Sequence, residues 1–261
     1  MSAPAATADP VLSARDGRSA RLTLNRPPLN VLDLATLEAL DRALADLAGD
    51  PDLQVVVVAA AGDRAFSAGV AVQDHTPDRV EAMLATFHGA LARLRALPAV
   101  SVAAVRGLCL GGGLELAASC DLVVAADDAS LGHPEVDLGC FPPLAAALYP
   151  SLIGPRATLE LLATGRRLTA EQAQALGLVS ERVAAGDLER RVAELVETLT
   201  GKSAVALRLI KRAVAAGSAL LFVDAFAESE RLYTEELCTT ADMAEGLAAF
   251  EAKRRPKFTG R

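Results

Sequence analysis

The chain has 261 residues, 52% of them hydrophobic, enough to bury one large core with an appended module. A formal net charge of −7, a pI near 5.1 and the lack of a domain-wide basic face disfavour a nucleic-acid partner. No charge-free run of about eighteen apolar residues offers a membrane-spanning helix, and Cys109, Cys120, Cys140 and Cys238 lack metal-ligand spacing, as expected of reduced, buried thiols in a cytoplasmic protein.

Taken in chain order, residues 1–10 have neither a basic start nor a long apolar stretch and read as a loose tail, not a signal or an anchor. Residues 20–24 are extended, Pro27-Pro28 breaks the chain, and Asp33 caps a helix running to Ala48 with Leu34, Leu37, Leu40, Leu44 and Leu47 as its buried stripe. Residues 53–60 and 100–105 are continuous apolar runs, which suit strands buried on both faces. Between them, residues 79–97 carry a helical stripe of Val80, Met83, Leu84, Phe87, Leu91 and Leu94. Residues 122–126 are strand-like, Thr169 with Gln172 forms a capping box, and Gly177 closes that short helix. From Asp187 the pattern is helical, over 187–200, 203–216, 219–237 and 240–253.

Three segments carry chemistry. After the run 100–105 comes Gly111-Gly112-Gly113-Leu114-Glu115-Leu116, a helix start whose glycines let an anion approach unpaired backbone N–H groups, with Glu115 in the first turn. After the run 53–60 comes Ala65-Phe66-Ser67-Ala68-Gly69-Val70, a second set of backbone donors. After residues 122–126, Gly132-His133-Pro134-Glu135 supplies another carboxylate. Singly each motif is weak; their order and their placement after successive strands carry the inference.

With these motifs, and with Cys120-Asp121 following the glycine triplet, the chain resembles the crotonase superfamily of enoyl-CoA hydratases and isomerases from about residue 11 to residue 258. The resemblance implies an α/β spiral of β-β-α units over 11–198 and a C-terminal helical oligomerisation region over 199–261, assembled as a homotrimer or homohexamer. It implies an acyl-CoA thioester as partner and no separate cofactor or metal, because CoA is part of the substrate. Carried over by position, the N–H groups of Val70 and Gly112 would form an oxyanion hole, and Glu115 and Glu135 the acid/base pair, their individual roles left open. Substrate contacts are expected from Ala68, Gly111, His75, His133, Phe141 and Pro143, and CoA contacts from Ala68, Arg64, Lys257 and Phe258. The reaction implied is hydration of a 2-enoyl-CoA; isomerisation, decarboxylation or thioester hydrolysis on the same scaffold, and a non-catalytic binder, remain alternatives.

Departures from the family pattern refine this. Pro143 stands where hydratases of simple enoyl-CoAs have a glycine that helps place water, and proline has no N–H to give. Gln73 replaces a lysine that lies near CoA in many members, and His133 a common glutamine. The stretch Phe141-Pro142-Pro143-Leu144-Ala145-Ala146, with residues 66–76 and Phe87-His88, looks like the cyclohexa-1,5-diene-1-carbonyl-CoA hydratase branch, whose flat substrate Phe141 and the rigid prolines would wall. His88 is expected to flank the apolar stripe and not to act in catalysis.

Overall fold

The computed structural model describes residues 9–76, 78–219, 235–236 and 239–261. Most of the expected helix over 219–237, Cys238 and most of the N-terminal tail lie outside the described residues.

Two sheets organise the chain. Strands β1 (Val11–Asp16) and β2 (Ser19–Leu24) form an antiparallel hairpin. From β2 onward the large sheet is parallel, through β3 (Val55–Ala60), β5 (Val100–Val105), β7 (Leu122–Ala126) and β10 (Glu181–Val183). The small sheet takes the alternate strands β4 (Ala65–Ser67), β6 (Leu108–Leu110) and β8 (Ser130–Gly132), mutually parallel, with β9 (Arg167–Thr169) antiparallel at its edge. After the opening hairpin, the turns that begin at β3, β5 and β7 each place one strand in the large sheet and the next in the small one, as expected of a β-β-α spiral.

The apolar runs of β3, β5 and β7, broken only by Ser101, follow from burial on both faces of the large sheet. Val56, Val58, Ala103, Val105, Val123 and Ala125 face the main core, while Val55, Val57, Val102, Ala104 and Val124 face a second cluster closed by Leu188 and Val192 of helix α7 (Leu188–Thr200). Over the main core, α1 (Leu34–Ala48) packs against α2 (Val80–Ala96). Asp33 caps α1 by accepting the Thr36 N–H at 2.8 Å. Leu37, Leu40 and Leu44 are buried as the stripe requires, but Leu34 in the first turn stays exposed. The capping box of Thr169 and Gln172 opens α6 (Ala170–Leu176), and Gly177 ends it in the left-handed region.

The remaining helices are α3 (Gly112–Ala118), α4 (Pro143–Ile153), α5 (Pro155–Thr164), α8 (Ala204–Ala219) and α9 (Ala241–Glu251). Among the described residues, no helix is long and apolar enough to cross a membrane.

The small sheet positions the site. Because β4, β6 and β8 are parallel neighbours, their carboxyl ends emerge side by side, and the loops at residues 68–70, 111–112 and 133–135 converge at one edge.

Candidate active site

Hydrogen bonding along these loops leaves particular donors free. The Ala68 N–H bonds the Leu29 carbonyl, Gly69 the Ser67 hydroxyl, and Ala71 the Leu32 carbonyl. On the neighbouring loop, Gly111 donates to the Gly132 carbonyl, and Leu114 and Glu115 to that of Gly111. Among the described residues, the N–H groups of Val70 and Gly112 are given no acceptor. Both residues line one cleft of about 460 Å³. Paired main-chain donors in a sheltered cleft are arranged to receive a negatively charged oxygen.

Close approach explains two of the glycines. Gly111 has φ +51°, and a Cβ there would lie 2.8 Å from Glu135 Oε1, so only glycine admits the carboxylate. A Cβ on Gly112 would lie 2.7 Å from Val70 Cγ2 and 3.1 Å from Phe87 Cζ. The two donor loops and α2 are therefore packed to contact.

Glu115, buried in α3, and Glu135, on the 3-10 turn Pro134–Leu138, both border the cleft. Glu115 Oε1 accepts the Ala145 N–H at 2.9 Å, in the first turn of α4. Pro143 opens that helix, where a missing N–H costs nothing. Burial raises the Glu115 carboxyl above its ordinary value and the Glu135 charge adds to the rise, against the opposing pull of the Ala145 N–H and of His133. Two carboxylates bordering one pocket, one pushed towards its protonated form, are equipped to give and take protons.

The lining is largely apolar, with Val80, Met83, Leu84 and Phe87 of α2 and with Leu138, Phe141 and Pro142. The structure thus brings Ala68, Val70, Gly111, Gly112, Glu115, Glu135, His75, Phe141 and Pro143 together on one cleft. His75 is held by donating from Nδ1 to the Ala71 carbonyl at 3.1 Å.

Four expected residues stand elsewhere. His133 is fully buried and does not line the cleft; its ring lies behind Glu135, with Nδ1 3.5 Å from Oε1. Arg64 is exposed outside the cleft, its carbonyl taken by the Leu108 N–H. The Lys257 N–H bonds Glu245 Oε1 and the Phe258 ring lies against Gly246, so this tail packs on α9 and away from the chain's own cleft. Conversely, Arg26 was missed: with Asp33 and Gln73 it lines a cavity of about 530 Å³ that shares Ala68 and Val70 with the cleft. Its only sequence signal is its position just before the Pro27-Pro28 break.

Residues 17–261 match the enoyl-CoA hydratase/isomerase family. The chain belongs to that family. It is 37% identical to the cyclohexa-1,5-dienecarbonyl-CoA hydratase of Thauera aromatica, over 95% of either chain. A probable enoyl-CoA hydratase of Mycobacterium bovis is 34% identical, over 98% of this chain and 100% of the other. Among solved structures, the Bacillus anthracis enoyl-CoA hydratase superposes with a TM-score of 0.92 at 31% identity, covering 97% of this chain and 100% of that one. That solved relative thus shares the fold over nearly the whole chain.

Proposed function

We propose that the protein adds water to a 2-enoyl-CoA thioester, or removes it, with a cyclic dienoyl-CoA as preferred substrate. The observation that carries the reading is the convergence of two acceptor-less N–H groups, Val70 and Gly112, with the carboxylates of Glu115 and Glu135 on one cleft. In the hydration direction, the thioester oxygen takes both N–H groups. As the water oxygen bonds to C3, the C2–C3 π electrons form a C1–C2 double bond and the carbonyl π pair moves onto the thioester oxygen, giving an enolate. One glutamate takes the proton of the attacking water, and the other delivers a proton to C2 as the enolate collapses. Donors fixed before the reaction stabilise the developing charge without reorganising.

The substrate preference is supported by the similarity to the Thauera aromatica hydratase and by the wall of Phe141, Pro142 and Pro143. CoA would leave the cleft past Ala68 into the cavity bordered by Arg26, whose cation suits phosphate; Arg64 would add charge nearby. Lys257 and Phe258, remote from their own cleft, would reach the CoA of a neighbouring copy in a homotrimer or homohexamer. No separate cofactor is required, and the cytoplasm is the proposed location.

Incubation of the protein with straight-chain, branched, carboxylated and cyclic dienoyl-CoAs, followed by product mass, tests the reading. Gain of one water on the cyclic substrate is the expected result. Unchanged mass with a moved double bond, loss of carbon dioxide or release of a free acid would each replace hydration with another reaction on the same enolate.

A further inference from the structure

Behind Glu135 lies a buried pair that the proposed chemistry does not use. His133 and Tyr149 are both fully buried, their ring centroids are 5.2 Å apart, and His133 Nε2 lies 2.8 Å from the Tyr149 hydroxyl. That contact is the only hydrogen bond the hydroxyl makes among the described residues. A buried hydroxyl proton needs an acceptor, and Nε2 is the acceptor within reach. The imidazole hydrogen then sits on Nδ1. This atom is buried, has no hydrogen-bond partner, and faces Glu135 Oε1 at 3.5 Å.

We propose that His133 and Tyr149 are a positioning pair for Glu135: the Tyr149 hydroxyl fixes the imidazole tautomer, and the Nδ1–H orients the Glu135 carboxylate. The inference rests on the reading of Glu135 as an acid/base group. At 3.5 Å the contact is longer than a hydrogen bond, and such contacts commonly tighten once substrate fills the site. Gly111, which lacks a Cβ, leaves room for the same carboxylate oxygen. Tyr149 stands one helical turn beyond Ala145, so α4 grips Glu115 directly and Glu135 through His133.

Other titratable groups face the pair. Glu115 approaches from α3 and Cys109 from β6, and both, with Glu135, help burial push the Tyr149 phenol well above its ordinary value. Burial likewise pushes the Cys109 thiol up, so it stays neutral. Cys140 donates from Sγ to the Glu135 carbonyl at 3.4 Å, and burial and the Glu135 charge raise its thiol. Tyr149 thus remains a proton donor throughout the working pH range.

The test compares H133L, H133N/Y149F, Y149F and E135Q with the parent, by kcat and KM and by thermal unfolding. H133L is expected to lose about ten- to a hundred-fold in kcat with KM within about two-fold. In H133N/Y149F an amide N–H replaces Nδ1 and no hydroxyl is stranded, so most of kcat should return. Y149F, lacking one atom, should lose less of kcat, and decides the matter should H133L not fold. If E135Q is inactive while H133L keeps the parent's kcat, the positioning role is overturned alone; it is also overturned if H133N/Y149F is no better than H133L. An active E135Q overturns the reading of the site and this pair with it.

Discussion

The Ala145 N–H and the Glu115 carboxylate are joined by a 2.9 Å hydrogen bond that places a buried acid on the first turn of α4. The bond orients one oxygen, Oε1, and leaves the group bordering the cleft beside Glu135. Replacing either acid by its amide keeps shape and removes proton transfer. E115Q and E135Q should each lower turnover by about a hundred-fold or more, with substrate binding little changed. Full turnover by either variant in steady-state assays removes that residue from the acid/base pair.

Glu115 also links stability to pH. Burial is the largest influence on its carboxyl and raises it above the ordinary 4.5. The folded state therefore holds its proton to higher pH than the unfolded chain, and stability falls as pH rises from about 4.5 through the folded value. E115Q cannot ionise and escapes this cost. Its melting temperature should exceed the parent's by a margin that is smallest near pH 4 and widens towards pH 8. A margin independent of pH would show that the buried carboxyl carries no such penalty.

The long runs and capped helices were legible because each depends on local chemistry: Asp33 and Thr169 cap, residues 55–60 are apolar throughout, and residues 100–105 are apolar but for Ser101. The small sheet was not. β4, β6 and β8 have three residues each, too few to show a period, and they form by pairing with strands distant in sequence. The loop motifs were readable because glycine and carboxylate identities are themselves the signal. The grip on Glu115 comes from the Ala145 main chain, which has no side-chain signature, and Tyr149 meets His133 only through the placement of α4. Likewise Arg26 reaches the cleft's neighbour by tertiary packing.

Packing around Gly112 makes the donor pair sensitive to one methyl group. In G112A the new Cβ would meet Val70 Cγ2 at 2.7 Å and force apart the loops that carry both N–H groups. Losing one such donor costs about a hundred- to a thousand-fold in kcat, and G112A should fall in that range. G89A is the control: a Cβ there meets nothing within 4 Å, and the position lies inside α2, so the variant should stay active and gain about 0.5–1 kcal/mol. Equal activity of G112A and G89A would mean that these amides do not stabilise the reacting oxygen.

Phe141 separates binding from stability most cleanly. Its side chain borders the cleft yet is 65% exposed, so it contributes little to the core. F141A should unfold within about 0.5 kcal/mol of the parent. If the ring walls the acyl pocket, its removal takes apolar contact from a flat cyclic substrate and little from a short straight chain. KM for a cyclic dienoyl-CoA should then rise about ten-fold, in keeping with one to two kcal/mol of lost apolar contact, while KM for a four-carbon enoyl-CoA stays near the parent value. Parallel increases for both substrates would place Phe141 at the shared CoA portion, and no increase for either would remove it from the site.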